Sequence, residues 1–341
     1  MRVPAALPLV ALVLAPSLAC AQAPAPRGAG LITEALIRRL VNVIAHDSMM
    51  GRNTPSRGLD MTAAYIASQY RRLGLRPGGD SGSYIQRYAV AGQAGGRNGS
   101  PQPVEWAPNA VGIVPGTDAV LRDEYVVFSA HMDHVGARGG QAVKDSIWNG
   151  ADDDASGTAG VLALAEAFAR SPAKRSLVFL TVSGEEHGLW GSAWFTGNPP
   201  VPIERIVADI NLDMIGRNWK DSIAVIGQEH SDLGATVARV AAAHPELGMT
   251  PVPDQWPQEN FFARSDHYNF ARRGIPALFF FNGVHEDYHQ PGDSPDKIDA
   301  EKESRVVRLI YHVGLAVANA PERPKWNPES YKRIVMPRER R

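Results

Sequence analysis

Apolar residues recur along this chain in two rhythms, and the alternation between them predicts the architecture. Positions 31–44 repeat hydrophobic side chains at helical spacing behind Thr33, a short polar residue suited to cap a first turn. A second such stretch, 61–73, stops at Gly74, and others cover 158–170, 232–244 and 301–318. In 158–170 the apolar stripe is Val161, Leu162, Ala165 and Phe168, with Asp154 or Ser156 placed to cap it. Short apolar runs at 125–130, 177–183, 206–214, 223–226 and 275–281 read as buried strands. From 124 onward strands and helices alternate. That order predicts an α/β domain whose central sheet is mixed, largely parallel and covered by helices on both faces. Segment 91–103 is Gly, Ser, Asn and Pro with almost no apolar content, so it reads as a loop.

The first residues break this pattern. Arg2 precedes an apolar stretch, 3–18, and the small residues Ala19, Cys20, Ala21 and Ala23 follow. This is the layout of a secretory signal cleaved after Ala21 or Ala23. Segment 1–21 is therefore read as a signal peptide, 22–30 as a flexible leader, 31–320 as the folded domain, and 321–341 as a basic tail that wraps the surface or is loose. A periplasmic or secreted location follows, with a lipid anchor at Cys20 as the alternative. No other apolar run approaches the roughly 20 residues of a membrane span.

Cys20 is the only cysteine, so the mature chain has no disulfide, no thiolate nucleophile and no cysteine-held zinc. Any metal must be held by His and carboxylates. A net charge of −1 supplies no positive field for phosphates, which argues against a nucleic-acid partner and for small neutral or mixed-charge substrates.

Candidate chemistry clusters where open α/β sheets place their ligands, at the carboxyl ends of the strands. His131 and Asp133 follow the run ending at Ala130, Glu185 and Glu186 follow Ser183, Asp213 closes 206–212, and Tyr288 and His289 lie beyond Phe281. The three carboxylates Asp152, Asp153 and Asp154 sit just ahead of a helix; a calcium loop would instead space its acids alternately and add a late Glu. Two His and three carboxylates suit zinc, with cobalt or manganese possible, and five ligands fit two ions sharing a bridge. On this reading Asp152 is the bridge, His131 and Asp213 complete one ion, and Glu186 and His289 the other. Asp133 would hold the far ring nitrogen of His131. Glu185 points away from its neighbour and is free to act as a base.

Two motifs are set aside. His285-Glu286-Asp287-Tyr288-His289 matches a helical zinc-peptidase pattern, but Gly283 before it and Pro291-Gly292 after it argue for a loop. Ser265-Asp266-His267 has the letters of a triad, yet sequence neighbours do not converge as one; with Asp153 these residues are expected around the ions or the substrate.

Taken together, Ala130–Asp133, Gly150–Gly157, Gly184–Leu189, Asn211–Met214, Ser265–His267 and Tyr288-His289 resemble the co-catalytic zinc aminopeptidases, the group of bacterial leucyl aminopeptidases, aminopeptidase Y and glutamate carboxypeptidases. Met50-Gly51-Arg52 is similar too, more weakly. The resemblance implies a single zinc-exopeptidase domain with two zinc ions and the same ligand set. It implies a cis peptide after the bridging Asp, here Asp152–Asp153, and Tyr288 as oxyanion donor. The expected activity is hydrolysis of the N-terminal peptide bond of substrates with a free N-terminus, using a hydroxide held between the ions and Glu185 as base. A dipeptidase or carboxypeptidase of the same group, a one-zinc glutaminyl cyclase on the same scaffold, and a receptor-like protein that lost its metals are the rivals.

Overall fold

The computed structural model describes residues 28–90, 104–137 and 146–335. The expected signal peptide with Cys20, most of the leader, the 91–103 loop and the last residues of the tail lie outside them. Helix α1 (Glu34–Ile44) begins where expected, with Thr33 accepting the Leu36 N–H at 3.2 Å. Helix α2 (Arg57–Leu73) starts a turn earlier than the apolar pattern suggests, because Ser56 caps it by accepting the Leu59 N–H, and it ends on Gly74 in the left-handed region.

Strands β1 (Arg76–Pro77), β2 (Ile85–Ala89) and β3 (Trp106–Val114) follow, all outside the predicted set. Pro108 inside β3 conceals it, since proline cannot donate to a central ladder. The fold tolerates it because pairing with the next inner strand starts only at Ala110. Strands β4 (Tyr125–His131) and β5 (Ser176–Val182) flank α3 (Gly157–Arg170) in sequence. Helix α4 (Trp190–Gly197), strands β6 (Ile206–Leu212) and β7 (Ser222–Ile226), and helix α5 (Leu233–Ala243) come next. They lead to β8 (Thr250–Val252), α6 (His267–Arg272), β9 (Ala277–Phe281), α7 (Ala300–Asn319) and α8 (Pro328–Ile334). The described part of the tail carries a helix, capped by the Asn327 side chain.

The sheet runs β1-β3-β5-β4-β6-β9-β7-β8, with β2 also on β3. Its centre, β5-β4-β6-β9, is parallel, and the pairings of β3 with β5 and of β7 with β9 are antiparallel. Each central strand is buried along its length, so its two faces sort by alternation. Phe128 and Phe179 join Phe168 of α3 and Tyr311 of α7 in one core, while Val127, Val178 and Leu180 meet Phe195 of α4 and Phe270 of α6 in another. The contact between α7 and β4 is close enough that a Cβ on Gly314 would stand 2.3 Å from the Phe128 ring. Helices therefore cover both faces, and the carboxyl ends of four parallel strands open on one rim.

Candidate metal centre

The rim is built from short connections. Strand β4 ends on His131. After β5 the chain turns at Gly184, where a φ of +71 and the 2.7 Å that an added Cβ would stand from Tyr88 Oη exclude a side chain, and it releases Glu185 and Glu186. Asp133 fixes that turn: its Oδ2 accepts the Gly184 N–H at 2.8 Å and the Thr54 hydroxyl at 2.9 Å. His131 Nδ1 lies 3.2 Å from the Asp133 backbone oxygen and 3.6 Å from its carboxylate, so the residue orients the ring mainly through its main chain.

The three consecutive aspartates separate completely. Asp152 turns away from the rim; its Oδ1 accepts the Gly216 N–H at 2.6 Å and its Oδ2 faces His285 Nε2 at 3.3 Å. Asp154 spends its carboxylate on the backbone N–H groups of His131, Gly157 and Met214. Asp154 could reach a cation beside His131 and Asp213, but these three donors give it a structural role, and one of them, Gly157, is the first residue of α3. Asp153 alone lies between the imidazoles. Its Oδ1 is 3.3 Å from His131 Nε2, and its Oδ2 is 3.0 Å from His289 Nε2 and 3.7 Å from His134 Nδ1. The expectation that Asp152 forms the bridge is therefore corrected by one residue. The backbone through 152–154 is not helical, so each successive side chain leaves in a new direction. The non-proline cis peptide likewise follows Asp153, not Asp152.

Around Asp153 the side chains form two groups. On one side His131 Nε2 is 3.6 Å from Asp213 Oδ1. On the other, Glu186 is held between two rings, with Oε1 2.9 Å from His134 Nδ1 and Oε2 3.0 Å from His289 Nε2. A regular tetrahedron of ligands about 2.0–2.2 Å from an ion has edges of roughly 3.3–3.6 Å, and the second group's spacings straddle that range. Despite this proximity, Asp153 Oδ2, Glu186 Oε1, both His134 nitrogens and His289 Nε2 have no hydrogen-bond partner among the described residues. Buried polar atoms left open in this way cost free energy unless something else meets them. Nitrogen and carboxylate donors facing one another suit divalent ions, so the residues fit a metal. Electrostatics agree: burial alone would lower the His289 imidazole, but Asp153 and Glu186 carry it up to about 10.

Other predicted residues fall around these groups. Glu185 lines the same recess; burial, with Asp266, Asp213 and Glu186 nearby, pushes its carboxyl well above the usual range. Ser265 donates to Asp213 Oδ2 at 2.8 Å and accepts from the Asn211 amide. Asp266 is buried behind Ser265, and burial raises its carboxyl to about 7. His267 packs between Phe262 and Phe279 and burial drops its imidazole to about 3, so the three do not converge. Tyr288 stacks on His289 with ring centroids 3.9 Å apart and lines the recess; burial pushes its phenol up, so it stays a donor. The 285–289 segment is a turn, not a helix, and His285 faces Asp152 while His289 faces Asp153.

Residues 109–314 match Peptidase family M28. The chain belongs to peptidase family M28. It is accordingly a metallo-exopeptidase, a hydrolase. Among its relatives, a probable zinc metalloprotease of Pyrenophora tritici-repentis is 26% identical over 335 residues, covering 86% of this chain and 67% of that one. Aminopeptidase YwaD of Bacillus subtilis is 25% identical over 64% of this chain and 46% of its own length. The fold is that of a zinc aminopeptidase from Bacillus subtilis, with a TM-score of 0.64, 16% identity and coverage of 85% and 96%. An aminopeptidase from Aneurinibacillus sp. strain AM-1 superposes with a TM-score of 0.62 at 17% identity, over 86% and 96% of the two chains.

Two rim residues escape a reading of the sequence for ligands. His134 was available in the letters His131-Met132-Asp133-His134, an i, i+3 pair, but only folding turns both rings toward Asp153. Arg52, noted for its resemblance alone, is fully buried and donates to the carbonyls of Met132, Ile44, Asn149 and Gly150.

Proposed function

We propose that this chain is a two-zinc aminopeptidase that removes the N-terminal residue of peptides in the periplasm or outside the cell. The observation that carries the reading is Asp153, whose two oxygens face two separate groups, His131 with Asp213 and Glu186 with His289. His131 and Asp213 would hold one ion and Glu186 and His289 the other, with Asp153 shared and His134 beside Glu186. Two zinc ions, when bound, supply the Lewis acidity that polarises a scissile carbonyl and acidifies water. Glu185 takes a proton from the attacking water and returns it to the leaving amine, a task for which a raised carboxyl is matched. The Tyr288 phenol donates to the carbonyl oxygen as it gains charge.

The test is to count tightly bound metal and compare aminoacyl-anilides with N-blocked and glutaminyl substrates. Two ions per chain and cleavage of unblocked substrates alone are expected; one ion with cyclisation of glutaminyl substrates would replace the reading with a cyclase. Glu185→Gln should keep its metal and lose about 10²–10⁴ in turnover, and near-normal turnover in that variant removes the base from Glu185.

A further inference from the structure

The recess above the ligands, about 360 Å³, is walled on its apolar side by Met214, Phe261, Phe279 and Phe281. It shares Phe261, Arg264, Val284 and Tyr288 with a wider mouth of about 620 Å³, where Trp256 and Glu259 complete the lining. Among the described residues Arg264 is the only Lys or Arg lining either space. Its backbone is held beside the metal centre, because the next residue, Ser265, donates to Asp213. Its guanidinium carbon sits 4.6 Å from the Phe261 ring centroid. The guanidinium makes no side-chain hydrogen bond among the described residues, and its one ion pair, to Glu259 at 3.7 Å, is between side chains 46% and 53% exposed. An exposed pair of this kind contributes little and is readily exchanged for a better anion. A planar fork of five donors, steadied over an aromatic ring at the exit of an acidic recess, is therefore left for a ligand.

We propose that Arg264 binds a carboxylate of the substrate just beyond the scissile bond, which makes short peptides with a free C-terminus the preferred substrate class. The inference rests on the aminopeptidase reading above for the direction of the chain. With the scissile bond at the metal centre and the first side chain against Met214 and the phenylalanines, the leaving residue points toward the mouth. Each extended residue advances the chain by roughly 3.5 Å, so the terminal carboxylate of a dipeptide stays within the same recess whose wall includes Arg264. An acidic side chain on the leaving residue would offer the same chemistry from a second source.

The experiment compares kcat/KM for leucyl-glycine and leucyl-glycinamide in the native protein and in Arg264→Gln. A charge-assisted bidentate contact predicts a preference for the free acid of about tenfold or more. That preference should vanish in Arg264→Gln while hydrolysis of the amide stays within about twofold, since the amide never used the guanidinium. The C-terminal amides Leu-Glu-NH2 and Leu-Gln-NH2 form the second arm; an Arg264-dependent ratio confined to this pair assigns the carboxylate to the side chain. Calorimetric titration of the Glu185→Gln protein with the same peptides reads the ratio without turnover. If no leucyl compound is cleaved, the aminopeptidase reading fails on its own while the binding ratio still scores Arg264. Acid-to-amide and Glu-to-Gln ratios that both stay within twofold on Arg264→Gln overturn the proposal.

Discussion

Two buried polar centres stand side by side at the sheet rim, and they are finished differently. The Arg52 guanidinium donates from Nε to Met132 O at 2.8 Å, from Nη1 to Ile44 O at 3.1 Å and Asn149 O, and from Nη2 to Gly150 O at 2.9 Å. Every acceptor is a backbone carbonyl, so the charge is closed within the fold and ties the turn before Asp153 to the strand end before His134. Around Asp153, in contrast, imidazoles and carboxylates approach within 3.0–3.7 Å and yet leave several atoms without a hydrogen bond. A charge that the backbone satisfies belongs to the architecture. A group of charges that satisfy one another only in part is built for something added.

The comparison can be broken most directly at Asp153. Asp153→Ala should strip both metal positions and abolish turnover, whereas Asp152→Asn should retain metal, because Asp152 faces Gly216 and His285 instead; atomic absorption on the two purified variants decides. The reverse outcome would return the bridge to Asp152. At the closed centre, Arg52→Met should take the guanidinium donor from four carbonyls, of which Gly150 O keeps the Ala155 N–H, and lower unfolding stability by about 3 kcal/mol or more. Denaturant titration of metal-free protein is the appropriate measurement, and a change below about 1 kcal/mol would show that Arg52 is dispensable to the fold. A smaller effect is expected at His134. His134→Ala should weaken only the ion beside Glu186, by roughly 10–100-fold, so chelator titration should release one metal early and the other at its native concentration. Equal loss of both metals would mean that His134 supports the whole rim.

Much of this could be read directly from the letters. The parallel centre of the sheet was legible because strands buried on both faces are written as unbroken apolar runs, and helix ends because Thr33 and Gly74 carry their own geometry. Strand β3 was not, since Pro108 and Gly112 disguise a strand whose inner neighbour, β5, is far away in sequence. Glu185, Glu186, Asp213 and His289 were found from their place after strands, a position that the parallel topology converts into proximity.

Local sequence thus determined which side chains reach the rim, because strand ends and turn residues act over a few positions. It also determined the chemistry available there, nitrogen and carboxylate donors without a thiol. Only the tertiary structure decided which of three adjacent aspartates faces the imidazoles, and that His134 joins them while His285 does not. Such choices depend on backbone direction in an irregular turn, and that direction is set by Asp293, Gly216 and Met214, which lie 60 or more residues away.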